Sequence, residues 1–199
     1  MNNTFKIKDN NLITEMLTSA EYGVLALCGT KPYAVTVNFV YLDDAIFFHG
    51  SPKGKKMRMI KDNNNVSFSV VSDPIIIPSY FSSIENLACP ASTFFKSIII
   101  DGTAGIITER NEVAKIFSGM MKNLQPQGKY KSFESKEYDK QFSAVSVIKI
   151  DIEKLSAKFK FGQSLNSERF QMVIDHLEKR GKKTDLLTIK SMKQFQLEN

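Results

Sequence analysis

The sequence predicts a mainly β domain, a closed or partly closed antiparallel β-barrel with peripheral helices. Three observations carry this. Seven or so short segments show strand patterning and are joined by tight turns. Helical periodicity is confined to a few segments, without the regular strand–helix alternation of a doubly wound parallel sheet. The chain of 199 residues, with 42% hydrophobic and 24% charged residues, suits one globular domain. Fifteen Phe and no Trp point to a core of Phe and aliphatic side chains.

The elements follow in order. Residues 11–20 place Leu12, Ile13, Met16 and Leu17 at helical spacing. Residues 21–28 form a strand closed by the turn Gly29-Thr30-Lys31-Pro32. Residues 33–41 alternate, with Tyr33, Val35, Val37, Phe39 and Tyr41 on one side and Ala34, Thr36, Asn38 and Val40 on the other. Leu42-Asp43-Asp44 makes the next turn, its carboxylates serving as turn formers, and residues 45–49 a short strand. A helix over 52–61 follows, then a strand over 66–72 and a Pro-rich loop over 73–91. Residues 93–108 read as a strand bent at Asp101-Gly102, and 109–123 as a helix with Val113, Ile116, Phe117 and Met120 inward. After a polar, turn-rich stretch come strands over 142–152 and 157–161. A helix over 167–179 turns Phe170, Val173, Ile174 and Leu177 inward, and the last twenty or so residues are basic and weakly patterned.

Charge and cysteine content exclude several classes. The net charge of +6 is spread thinly: nine Lys/Arg against eight Asp/Glu in residues 1–100, eighteen against thirteen in 101–199. A nucleic-acid binder concentrates its cations in a denser stripe, so the balance argues against one. Cys28 and Cys89 form no CxxC pair, so neither a zinc site nor a thioredoxin-like centre is indicated, and Cys28 reads as a buried small hydrophobe. No apolar run is long enough to span a membrane and the N-terminal stretch lacks a signal-peptide core, so a cytoplasmic setting is expected. No catalytic triad, HExxH or Walker loop is present.

The chemistry concentrates where residues 45–49 meet the helix. A helix N-terminus offers unpaired N–H groups and the positive end of its dipole. Ser51 as cap, Pro52 at the first helical position, and Lys53, Lys55 and Lys56 nearby make a corner suited to a phosphate. A lysine run is otherwise a solvated helix face, and His49 otherwise a strand-end histidine bonded to a carbonyl. Thr36 and Asn38 are otherwise an outward polar face, and Lys96 and Ser97 an exposed strand pair.

Four blocks resemble the FMN-binding split-barrel family, in the branch related to pyridoxamine 5'-phosphate oxidase that includes the nitroimidazole-resistance and flavoredoxin-like proteins. Lys31-Pro32-Tyr33-Ala34-Val35-Thr36-Val37-Asn38-Phe39 resembles the family's Pro-Tyr-x-Val-Pro-Val-Asn-Phe strand. Ile46-Phe47-Phe48-His49-Gly50-Ser51-Pro52-Lys53-Gly54-Lys55-Lys56 resembles its strand–helix phosphate corner. Thr93-Phe94-Phe95-Lys96-Ser97-Ile98-Ile99-Ile100-Asp101-Gly102 resembles Thr-x-Tyr-Arg-Ser-Val-x-x-x-Gly, and 145–155 the late strand ending in an Ile-Glu-Glu-Leu-like segment. Thr36 stands where the family has a second Pro, and Phe95-Lys96 where it has Tyr-Arg. Residues beyond Phe161 are similar to the C-terminal helix of a repressor-like branch.

The resemblance covers roughly residues 11–161 and implies a barrel domain over 1–164 with a C-terminal helical extension over 165–199, packed on or near the barrel. It implies FMN as cofactor, two FMN sites at a homodimer interface, and FMN contacts from Tyr33, Val35, Thr36, Asn38, His49, Gly50, Ser51, Lys55, Lys56, Lys96 and Ser97. The implied activity is electron transfer from reduced FMN to a small-molecule acceptor: a nitroaromatic, a quinone or free flavin. No side chain stands out as a catalytic acid or base, and no metal site is expected. Two other readings stay open: haem binding or degradation, which would need His49 or His176 as ligand, and a non-catalytic flavin-binding transcriptional regulator, motivated by the basic tail. Pyridoxamine-phosphate oxidation itself is disfavoured, because the tail lacks the Trp, Arg and His of that enzyme's substrate motif.

Overall fold

The computed structural model describes residues 3–85 and 87–197. In chain order the regular elements are β1 (Lys6–Ile7), α1 (Asn10–Ser19), β2 (Tyr22–Leu27), β3 (Tyr33–Asn38), β4 (Val40–Leu42), β5 (Ala45–Gly50), α2 (Lys55–Asp62), β6 (Asn65–Ile77), β7 (Ser92–Ile107), α3 (Arg110–Leu124), α4 (Asp139–Ser143), β8 (Ser146–Lys160), α5 (Ser167–Arg180) and α6 (Lys183–Leu197). They fall into two compact units. A barrel unit holds residues 9–70 and 98–156, and a helical unit holds Val71–Ser97, the segment from Ala157 onward and the segment up to Lys8.

In the barrel unit the strands run in the order β3-β2-β6-β7-β8-β5-β4. The two ends of this path, β3 and β4, are separated in sequence only by Phe39, so the sheet has to curl until its ends meet. Alternation then decides what faces inward. In β2, Leu25 and Leu27 are buried while Tyr22 and Val24 face out. Ile46 and Phe48 of β5, Phe68 of β6, Ile98 and Ile100 of β7, and Ile148 and Ile150 of β8 are fully buried. Phe39 meets Phe68 edge-on at 5.1 Å between ring centroids. The opposite side of β5 and β8 turns Ala45, Phe47 and Val147 toward Val113, Ile116 and Met120 of α3. The Asp43-Asp44 turn takes positive φ angles of 48° and 56°, in keeping with two turn-forming carboxylates.

Several elements differ from their predicted form. The strand over 33–41 breaks at Phe39, because one continuous strand could not both end β3 and begin β4 on the far side of the sheet. The bend predicted at Asp101-Gly102 is uninterrupted strand. Gly102 is needed there because a Cβ would stand 2.1 Å from the carbonyl oxygen of Asp151 on β8. The two late strands are one, β8, and β6 runs on through Pro74 to Ile77 in what read as loop. Cys28 is exposed, since β2 ends at Leu27 with that side chain inward.

In the helical unit, Lys6 and Ile7 of β1 pair antiparallel with Lys158 and Ala157. Helix α5 starts at Asn166, whose side chain accepts from the Arg169 N–H at 2.9 Å. It ends at Gly181, whose φ of 67° is the left-handed value a helix terminator favours. The predicted inner face, Phe170, Val173, Ile174 and Leu177, is buried. The weakly patterned tail is α6, which buries Ile189, Met192 and Phe195; the Phe195 ring stacks on Phe161 at 5.7 Å. Among the described residues no helix is long and apolar enough to cross a membrane.

Candidate functional site

The corner after β5 is built differently from its sequence expectation, and the difference bears on function. Helix α2 begins at Lys55, three residues later than predicted, with Gly54 as N-cap and no side-chain cap bond. Ser51 does not cap it; its hydroxyl oxygen accepts a long bond of 3.4 Å from the Lys53 N–H, and Pro52 lies in the turn. The first-turn N–H groups are thereby left without a side-chain acceptor. Met57 and Ile60 anchor the helix in the core, which fixes where Lys55 and Lys56 emerge.

The two lysines are held by aromatic faces. The Lys55 ammonium lies 4.1 Å from the centre of the Tyr33 ring on β3, and that of Lys56 lies 4.8 Å from the Phe48 ring. Lys56 also folds over Gly50, where a Cβ would meet its Nζ at 2.9 Å. Partial burial pulls the Lys56 pKa below its ordinary value, because desolvation disfavours the charged form. An anion placed here would restore the lost solvation. Of the residues singled out in the sequence, Tyr33 and Gly50 are thus the neighbours of Lys55 and Lys56 respectively, at a helix N-terminus without a side-chain cap. Phe48, which sequence reasoning did not single out, supplies the platform.

Other predicted residues are placed elsewhere. Thr36 is exposed and Val35 half-buried, on opposite faces of β3. The Asn38 amide donates to the Glu21 carbonyl at 2.7 Å, tying the end of β3 to the start of β2. His49 points to the α3 side of β5, 5.3 Å from the Phe117 ring, while Phe48 faces the interior. Although water reaches His49, partial burial and then the Lys56 charge hold its pKa below the usual imidazole value, so the ring is neutral at neutral pH. Lys96 and Ser97 are half-buried on β7 in the helical unit, with the Lys96 ammonium 5.6 Å from the Phe159 ring.

The barrel unit also holds a cleft of 410 Å³ whose walls include Ile107, Arg110, Asp139, Phe142, Ser146 and Val147. Arg110 is fixed there by Asp139 at 2.8 Å and by the carbonyls of Glu134 and Ser135 at 3.2 and 2.9 Å, and lies over the Phe142 ring. Phe142 in turn stacks on Phe117 at 5.4 Å. Its lining residues are scattered over some forty positions, so no local motif announces it. His176, the other histidine that a haem reading would need, is held by its own helix and a neighbouring ring: its Nδ1 lies 2.8 Å from the Met172 carbonyl and its ring stacks on Phe81 at 4.8 Å. No group of three metal-ligating side chains occurs among the described residues.

Comparison with known proteins bears on the fold and the family. Solved structures of similar fold include a candidate 5-nitroimidazole antibiotic resistance protein from Bacteroides thetaiotaomicron, at 21% identity, a TM-score of 0.61 and coverage of 77% of this chain and 85% of that one. An FAD- and heme-binding protein from Mycobacterium smegmatis matches at 17% identity and a TM-score of 0.62 over 78% of this chain and 73% of that one. The flavocytochrome Anf3 from Azotobacter vinelandii matches at 18% identity and a TM-score of 0.61, over 78% of this chain and 69% of that one. No curated protein matches the sequence significantly. The family model for pyridoxamine 5'-phosphate oxidase matches residues 9–159, which takes in every strand from β2 through most of β8 together with the lysine corner, and the chain belongs to that flavin-binding, split-barrel family.

Proposed function

We propose that this protein binds FMN and passes electrons from the reduced cofactor to a small acceptor, a nitroaromatic, a quinone or free flavin, and that it does so as a homodimer. One observation carries the proposal: Lys56, partly desolvated on the Phe48 ring and folded over Gly50, stands beside a helix N-terminus without a side-chain cap. This suits the terminal phosphate of FMN, which carries nearly two charges and three acceptor oxygens. Lys55, ordered by the Tyr33 ring, adds a second charge-assisted contact.

The FMN isoalloxazine would supply the redox chemistry when bound. The chain's own residues hold and orient it. Lys55 and Lys56 fix one end, β3 offers backbone polar groups and the Thr36 hydroxyl along its exposed edge, and the neutral His49 ring adds no charge to this region. Homodimer formation is supported by large apolar side chains exposed on the barrel unit, Tyr22 and Val24 of β2 and Ile99 of β7, which a second copy would cover.

An absorption spectrum recorded while FMN is titrated into the purified protein tests the reading. A bound-flavin spectrum is expected with micromolar or tighter affinity. Each lysine contact is worth about 1.5–3 kcal/mol, so Lys55→Ala with Lys56→Ala weakens binding at least roughly 100-fold. No spectral change at micromolar protein would sink the proposal.

A further inference from the structure

The helical unit carries almost all of the chain's charge excess: twelve Lys/Arg against seven Asp/Glu, where the barrel unit has fifteen against fourteen. Part of that excess is organised. Lys6 of β1 and Lys158 of β8 are direct cross-strand partners, so their side chains leave the sheet on one face. Lys160, two residues on, shares that face. Among the described residues none of the three takes part in an ion pair. Like charges placed directly opposite one another destabilise a sheet, and a fold under no other demand places a carboxylate there.

These lysines are not loose surface groups. The Lys158 ammonium sits 5.5 Å from the centres of both the Phe5 and Phe95 rings, and the Lys160 ammonium donates to the Ser92 hydroxyl. Lys158 and Lys160 are half-buried, and burial together with the Lys158 charge draws the Lys160 pKa down. Phe95, half-buried beside them, keeps part of its ring accessible. Two oriented ammoniums, a third across the ladder and an aromatic face form a concentrated, unneutralised cationic patch with a stacking surface at its edge.

We propose that this face binds a nucleotide through its phosphates, with Lys6, Lys158 and Lys160 neutralising the phosphate chain and the base lying against Phe95. The patch measures about 7 Å along β8 and about 5 Å across to β1, the reach of a diphosphate or triphosphate. Nucleic-acid binding would need the cations to continue as a stripe, and β8 toward its N-terminal end instead carries Asp151 and Glu153 beside Lys149 and Lys154.

Calorimetric titration of the full-length protein at low salt tests this with ADP, inorganic pyrophosphate, adenosine and a short oligothymidylate. ADP is expected to bind, pyrophosphate more weakly and adenosine not measurably. Lys158→Gln with Lys160→Gln should reduce ADP affinity at least tenfold and flatten its salt dependence. The same variant should unfold at an equal or higher temperature, since it relieves the Lys6–Lys158 repulsion. Phe95→Leu should weaken ADP but leave pyrophosphate unchanged, and Lys55→Ala with Lys56→Ala should leave both unchanged, which separates this face from the proposed FMN corner. Absence of ADP binding at millimolar concentration, or binding indifferent to the lysine variant, would overturn the proposal. So would an oligothymidylate that binds more tightly than ADP, or FMN competing for the same lysines.

Discussion

Lys56 and Gly50 act as one device. A methyl group at residue 50 would stand 2.9 Å from the Lys56 ammonium, and a lysine end is flexible enough to move away. Gly50→Ala should therefore leave the unfolding midpoint within about 0.5 kcal/mol of the parent while weakening FMN binding, because the ammonium is displaced from its cradle. Equilibrium unfolding and flavin titration on the same variant read the two effects separately. The lowered Lys56 pKa gives a pH signature as well. A phosphate beside it favours the charged form, so FMN affinity should hold at neutral pH, fall as pH rises through the free protein's Lys56 pKa, and be accompanied by proton uptake in that range. His49 has the same direction of shift with a different consequence. Its folded pKa lies below the unfolded value, so the contribution of the neutral ring to stability is present above the unfolded imidazole pKa and is lost as pH falls through the folded one. A proton NMR titration of the ring should show a midpoint below the usual 6.5 or so.

Two elements depend on a single residue each. The close approach of β7 to β8 rests on Gly102, where any Cβ meets the Asp151 carbonyl. Backbone cannot yield as a side chain can, so Gly102→Ala should destabilise by about 3 kcal/mol, measured as a shift in denaturant midpoint at constant slope. The junction of α5 and α6 rests on Asp185, which is fully buried. It accepts from Arg180 at 2.9 and 2.6 Å and from the Lys182 N–H at 3.1 Å. The Arg180 hydrogen bonds hold its carboxyl below the usual range. That stability is complete above the unfolded carboxylate pKa and disappears as pH falls through the lowered folded value. Asp185→Ala leaves the part-exposed guanidinium only the Ile76 carbonyl and the Phe81 ring, and should cost about 3 kcal/mol, visible as early loss of helical signal in thermal unfolding. The α5 stripe was legible from its spacing. Helix α6 was not: its tail spreads Leu186 and Leu187 outward and Ile189, Met192 and Phe195 inward, so apolar residues fall on both sides and the period blurs.

At the scale of the whole molecule, the homodimer proposal predicts a solution mass of about twice the 22.5 kDa chain in sedimentation, and a substitution such as Val24→Glu on the exposed face of β2 should shift it to the monomer. The sequence by itself determined the mainly β class, the hairpins, the inner faces of α1, α3 and α5 and the family, because alternation, helical period and turn chemistry are local properties of the chain. Only the tertiary structure decided that one residue, Phe39, joins the two ends of the sheet. It also decided that Gly54 rather than Ser51 opens α2, that His49 turns toward α3 while Lys56 settles on Phe48, and that Lys6 meets Lys158 across a ladder 152 positions apart in sequence. Each of these depends on which strand lies beside which. That choice is made by long-range burial and pairing, and no window of neighbouring residues contains it.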